Sequence, residues 1–247
     1  MSYLGYVKMI CNDHLSENKY PKILEIGVDK GQTAAPLIQN LASRFEKFLY
    51  VGVDIMIRQE VIEQLSQFNN IDGLWRDFAA DNLLGRDIVL HQENSLSWLT
   101  KNQNFNPKFD VVLLDGDHNY FTVFNELTLL QTLVKPTSII VCDDYTGRWA
   151  EKDLWYSAKE EYKFTSAATP IQDTERKGVM NAVNDFVATS GIWDGFDIQG
   201  FEPMILFRKG FYEVQAGNKM NGSMARDMKF PLTTCEEKNG TNRNKTI

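Results

Sequence analysis

The sequence predicts an α/β protein: a doubly wound, Rossmann-like sheet, mostly parallel, with an antiparallel C-terminal hairpin. Three observations carry that prediction. Short apolar, β-branched runs at 22–26, 48–53, 87–91, 110–114 and 138–142 alternate with segments of helical period at 33–45, 57–68, 95–102 and 120–133, as in a parallel sheet covered on both faces. The first run leads directly into a loop with two glycines and a helix start, the usual opening of a ligand-binding α/β unit. After a helix at 178–190, two close runs at 195–198 and 203–207 flank the turn residues 199–202 and read as a closing hairpin.

The 247 residues suit one generous domain: an N-terminal helical segment at 1–20, a core at 21–210 with a lid at about 145–175, and a polar tail at 211–247. The tail, rich in Asn, Lys, Thr and Gly, reads as mobile or as an oligomer arm, leaving room for a homo-oligomer. An apolar share of 43% and a charged share of 24% are those of a globular protein. The net charge of −7 and the lack of a basic block argue against nucleic acid and for a small-molecule partner. Cys11, Cys142 and Cys235 lie far apart without CxxC spacing, as expected of reduced cytosolic thiols. With no leader pattern and no apolar stretch approaching the ~20 residues of a span, no membrane is expected and the protein is placed in the cytoplasm. The Asn-x-Ser/Thr triplets at Asn221, Asn239 and Asn244 would matter only in a secreted chain.

Each strand end in turn offers a candidate for chemistry. The first gives Glu25-Ile26-Gly27-Val28-Asp29-Lys30-Gly31-Gln32-Thr33, whose glycines let a bulky group approach the backbone. Its spacing is neither the dinucleotide nor the phosphate-loop pattern, and Glu25 and Asp29 would suit a cationic amino group. At the second, Asp54 can accept hydrogen bonds from a ribose diol or serve as a helix cap. At the third, Asn94 and Ser95 either read an adenine edge or cap the next helix. The fourth and fifth end in Asp115-Gly116-Asp117-His118 and Asp143-Asp144. Four carboxylates on neighbouring strand ends repel one another, and a hard divalent cation relieves that repulsion; the plainer reading makes some of them caps and pairs one with Arg148 or Lys135.

The runs ILEIGVDKGQT, VGVD, FDVVLLDGDHNYFTVFNEL and IIVCDDY together resemble the class I S-adenosylmethionine-dependent methyltransferases, and most closely the metal-dependent sugar O-methyltransferases of the macrocin and novobiocin type. The resemblance extends over about 20–210. It implies S-adenosylmethionine as cofactor and Mg²⁺ as metal, with Asp115, Asp143 and Asp144 as ligands and Asp117 as general base. Glu25, Gly27 and Gly31 would line the methionine end, with Thr33 and Asp115 beside the cofactor, Asp54 on the ribose, and Asn94 and Ser95 facing the adenine. Glu93-Asn94-Ser95 replaces the family's usual Gly-Asp-Ser.

The expected activity is an O-methyltransferase. An alcohol is a poor nucleophile until a cation stabilises the developing alkoxide and a base removes the proton. Asp117 is the first choice as base and His118 the rival. Tyr145 and Trp149, with Trp155, Tyr156 and Tyr162 on the excursion after Asp144, are the aromatic candidates for the acceptor. The acceptor expected is a sugar or glycosylated metabolite with a vicinal diol. A catechol-type phenol, an NAD-type oxidoreductase and a non-catalytic nucleotide-binding module are the competing readings.

Overall fold

The computed structural model describes residues 3–68, 85–106, 108–197 and 201–210. The tail from 211 onward, with Cys235 and the three Asn-x-Ser/Thr triplets, lies outside them, as do residues 198–200 of the expected hairpin. The described residues all belong to one compact unit spanning 1–212.

The chain runs α1 (Tyr3–His14), β1 (Lys22–Ile26), α2 (Ala34–Arg44), β2 (Phe48–Asp54), α3 (Gln59–Ser66), β3 (Arg86–Gln92), α4 (Ser95–Lys101), β4 (Phe109–Leu114), α5 (Tyr120–Leu130), β5 (Val134–Cys142), α6 (Val179–Ser190), β6 (Trp193–Asp197) and β7 (Met204–Arg208). The strands form one sheet in the order β3-β2-β1-β4-β5-β7-β6. β1 to β5 are parallel, while β7 runs antiparallel to both β5 and β6. The order reverses beside β1, and in such sheets ligands settle outside the strand ends at that reversal.

Alternate residues of each strand feed two cores, as a period of two requires. Ile23, Tyr50, Ile88, Val111 and Val141 pack with α1, α2 and α3 on one face. Leu24, Val51, Val89, Val112 and Ile140 pack with α4, α5 and α6 on the other, around the fully buried Trp98, Phe109, Phe186 and Trp193. Burying each such side chain contributes about 1.5–3 kcal/mol.

Several boundaries differ from expectation; α5, for one, ends at Leu130, three residues early. β5 begins at Val134, four residues earlier, because Ser138 Oγ accepts from the Lys135 amide at 2.8 Å and donates to the Phe109 carbonyl at 2.6 Å, while the pairing with β4 shifts register between Phe109 and Val111. Lys135-Pro136-Thr137 is thus a bulged strand start and not a turn. β6 begins at Trp193, whose fully buried ring ties it to α6 through Phe186. α3 is confined to Gln59–Ser66. Cys11 and Cys142 are buried free thiols. Among the described residues no helix is long and apolar enough to cross a membrane.

Candidate active site

A cleft of ≈ 510 Å³ opens at the carboxyl ends of β1, β2, β3 and β4. Its floor is the β1–α2 loop. Gly27 has φ +91°, and its amide donates to the Val53 carbonyl at 2.9 Å. An ideal Cβ there would come within 2.0 Å of the Asp115 carbonyl oxygen, so glycine is needed to seat this loop on the end of β4. Asp29 follows at φ +42°, a strained conformation for a residue with a side chain. The Asp54 carboxylate holds it there, accepting from the Val28 amide at 2.7 Å and the Asp29 amide at 2.9 Å through Oδ2, and from the Met56 amide at 2.8 Å through Oδ1. Of its roughly four lone-pair positions, three are thus committed to the backbone, leaving one for a ligand hydroxyl.

Asn94 caps α4, its Oδ1 accepting from the Ser97 amide at 3.1 Å, and its Nδ2 donates to the Ala167 carbonyl at 2.8 Å and to Thr169 Oγ1 at 3.0 Å. Both Asn94 and Ser95 line the cleft. The capping role anticipated as an alternative therefore coexists with a place in the wall.

The roof comes from the excursion between β5 and α6, as Tyr156, Tyr162, Ala168 and Thr169. The Tyr156 and Tyr162 rings meet edge to face at 5.0 Å. Asp153 anchors the excursion, its Oδ1 accepting from the Tyr120 amide at 2.9 Å and the Gly178 amide at 2.8 Å, so that it ties the starts of α5 and α6 together. Asp117 anchors it a second time: Oδ1 accepts from the Tyr156 amide at 3.2 Å and Oδ2 from Thr122 Oγ1 at 3.2 Å. Arg58 closes the edge, 3.3 Å from Asp29 Oδ1 in the floor and 3.9 Å from Glu161 in the roof.

Beside the cleft the acidic residues gather. Asp115 and Asp143 share a side-chain hydrogen bond; burial raises both, helped at Asp115 by the charge of Asp143 and at Asp143 by that of Asp144, taking Asp143 to about 6 and Asp115 well above its ordinary value. Asp144, at φ +54°, places Oδ2 3.3 Å from His118 Nδ1, and His118 Nε2 lies 4.0 Å from Asp115 Oδ1. Burial pushes the His118 imidazole down to about 4, so it is neutral near pH 7. Among the described residues no three His, Cys, Asp or Glu side chains surround one point as metal ligands. Asp115, Asp143 and Asp144 are neighbours, but their repulsion is relieved in pairs: one proton between Asp115 and Asp143, and His118 facing Asp144.

Of the other residues singled out in the sequence, Glu25 is buried inside the sheet, accepting from Tyr50 Oη at 2.6 Å. Gly31 turns the chain at φ +72° against Val61 and Gln64 of α3, and Thr33 precedes α2 without a side-chain capping bond. None of the three lines the cleft. Tyr145 donates to Asn184 Oδ1 at 2.9 Å, and Trp149 packs on the α5–α6 core with Arg148 over its ring, so these two also stand outside the wall. Glu126, which the sequence reading passed over, is buried on α5 with its carboxyl pushed up to about 8 by burial. The available signal was a lone acid on the apolar stripe of Val123, Leu127 and Leu130.

Comparison with known proteins agrees with this architecture. Residues 24–145 match the family model of a methyltransferase domain. A methyltransferase from Podospora anserina, solved with S-adenosylhomocysteine bound, is 16% identical with a TM-score of 0.50, over 85% of this chain and 80% of that one. A putative O-methyltransferase from Klebsiella pneumoniae is 16% identical with a TM-score of 0.49, over 83% and 80% of the two chains. The O-methyltransferase TomG from Streptomyces achromogenes, in complex with S-adenosylmethionine, is 14% identical with a TM-score of 0.48, over 82% and 77%. The search of curated proteins gives no match. The glycine loop and the carboxyl ends of β1 to β5 lie within or beside the stretch that the methyltransferase-domain model matches.

Proposed function

We propose that the protein is an S-adenosylmethionine-dependent O-methyltransferase acting on a hydroxyl of a small molecule, with a divalent cation, Mg²⁺ first, at the acidic cluster. The observation that carries this reading is the convergence in one cleft of the Gly27 loop, Asp54, Asn94, Ser95 and Asp115. No Lys or Arg is among its described lining residues, while Asp29, Asp54, Asp115, Asp117 and two tyrosine rings are. That surrounding favours a ligand with cationic sulfonium and ammonium groups and disfavours a pyrophosphate. The free lone pair of Asp54 suits one ribose hydroxyl.

The donor set fits a hard cation, since two carboxylates that share a proton offer the charge a metal would neutralise, and Asp144 adds a third oxygen donor. A divalent cation held by Asp115, Asp143 and Asp144 would lower the pKa of the acceptor hydroxyl. The remaining chemistry belongs to the chain. We assign the base to His118: it is neutral near pH 7, and Asp144 faces its Nδ1, leaving Nε2 toward the Asp115 side of the cleft. Asp117, with the Tyr156 amide and the Thr122 hydroxyl on its carboxylate, orders the roof that excludes water. A vicinal diol on a sugar or glycosylated metabolite is the acceptor we infer, and a catechol is the alternative that a panel of both would separate.

Calorimetric titration with S-adenosylhomocysteine, with and without Mg²⁺, tests the reading on the wild type and on Asp143→Ala. Binding by the wild type is expected, strengthened by Mg²⁺ only when Asp143 is present. A wild type that does not bind S-adenosylhomocysteine sinks the proposal, and binding indifferent to Mg²⁺ removes the metal from it.

A further inference from the structure

A second, smaller cavity shares Gly116 and Asp117 with the cleft and reaches toward α5 and α6. His118, Glu126, Asp143 and Asp117 supply its polar wall, and it has room for about one water molecule. Glu126 is the anomalous member. It is 1% exposed and sits on the buried face of α5 with Val123, Leu127, Leu130 and one hydroxyl, Thr122. Its carboxyl lies within electrostatic reach of the Ser95 side chain, a residue of the cleft wall, and Oε1 is buried without a protein partner. An unsatisfied buried oxygen of this kind costs about 1–3 kcal/mol, and one water in a polar cavity removes that cost.

We propose that Glu126 is a positioning residue of the methyl-transfer site: its carboxylate holds Ser95 in the cleft wall and, through one water in the inner cavity, holds the Asp117 loop. The proposal rests on the reading of the cleft as the cofactor site. It explains why a carboxylate occupies a mostly apolar helix face. Its two oxygens serve the two walls that a cofactor must find in register, one from β3–α4 and one from β4–α5.

The first test is a crystal structure of the full chain at a resolution that shows water. A water within hydrogen-bond reach of Glu126 Oε1 and of a polar atom of Asp117, His118 or Asp143 is expected; a dry cavity overturns the proposal. The second is calorimetry with S-adenosylhomocysteine. Glu126→Gln keeps an acceptor for Ser95 and binds within about twofold of the wild type, whereas Glu126→Leu binds about tenfold more weakly, the size of one lost hydrogen bond. Adding Ser95→Ala to Glu126→Leu costs less than Ser95→Ala costs alone, because the two act as one unit. Lowered melting temperature with unchanged affinity would mark Glu126 as a purely structural residue and end the proposal. If Glu126→Leu does not fold, Glu126→Asp reads the same geometry, and wild-type affinity in that variant has the same consequence. If the wild type does not bind S-adenosylhomocysteine, the cofactor reading fails, and the crystallographic water alone decides whether the link between Ser95 and the Asp117 loop exists.

Discussion

Gly27 and Asp115 touch backbone to backbone: a Cβ on Gly27 would stand 2.0 Å from the Asp115 carbonyl oxygen, and Gly27 is already at φ +91°. Gly27→Ala therefore meets both a clash and a strained backbone. A loss of more than about 2 kcal/mol in unfolding free energy is expected. S-adenosylhomocysteine binding should vanish with it, since the floor of the cleft lifts away from β4. Urea denaturation and calorimetry check the two halves; a variant as stable as the wild type would mean the loop can sit elsewhere.

Arg58 joins floor to roof through Asp29 and Glu161, and its side chain is 28% exposed. Partly exposed ion pairs contribute little to global stability, about 0.2–1 kcal/mol. Arg58→Ala should thus leave the melting temperature almost unchanged while speeding amide hydrogen exchange at 156–169. Unchanged exchange there would show that Asp117 and Asp153 hold the roof unaided.

Glu25 gives the stability a pH dependence of known sign. Burial raises its carboxyl from 4.5 to about 8. The folded chain then binds this proton more tightly than the unfolded chain, so the Glu25 contribution is fully present below about 4.5 and is lost as the pH rises toward 8. Glu25→Gln retains an acceptor for Tyr50 and removes the titration. Relative to the wild type it should gain stability between about pH 5 and pH 8, measured by denaturant unfolding at each pH. A constant difference across that range would place the titration elsewhere.

His118 and Asp117 separate by their variants. With labelled S-adenosylmethionine and a panel of vicinal diols and catechols, His118→Gln and Asp144→Asn should lower the rate of methyl transfer by about 10²–10⁴, with S-adenosylhomocysteine affinity within about threefold of the wild type. Asp117→Asn should weaken that affinity and loosen the roof, because its carboxylate is committed to Tyr156 and Thr122. The reverse pattern would restore Asp117 as the base.

The five parallel strands and the strand-end acids were legible because a buried parallel strand is a continuous apolar run and its candidate site residues follow at once, as in Val111-Val112-Leu113-Leu114-Asp115. The start of β5 was not, since Lys135-Pro136-Thr137 has turn composition and only the pairing with β4 makes it strand. The lid at about 145–175 was read, with Tyr156 and Tyr162 among its aromatic candidates, but not which of those candidates line the cleft. Which tyrosines of an aperiodic segment face the ligand depends on where the segment is pinned, and the pins are Asp117 and Asp153, remote in sequence from what they hold. Glu126 was hidden by its apolar company, although that company was itself the clue.

The sheet order carries a consequence for how the molecule is made. β7 lies between β5 and β6 although it follows both, so β6 has no strand partner until residues 204–208 arrive. Until then the apolar Ile139–Cys142 segment of β5 presents an open edge, the kind that recruits other chains. During synthesis the nearly finished domain is at its stickiest just before its last strand emerges, and a chain cut short at about residue 200 would be expected to aggregate and not merely to lose activity.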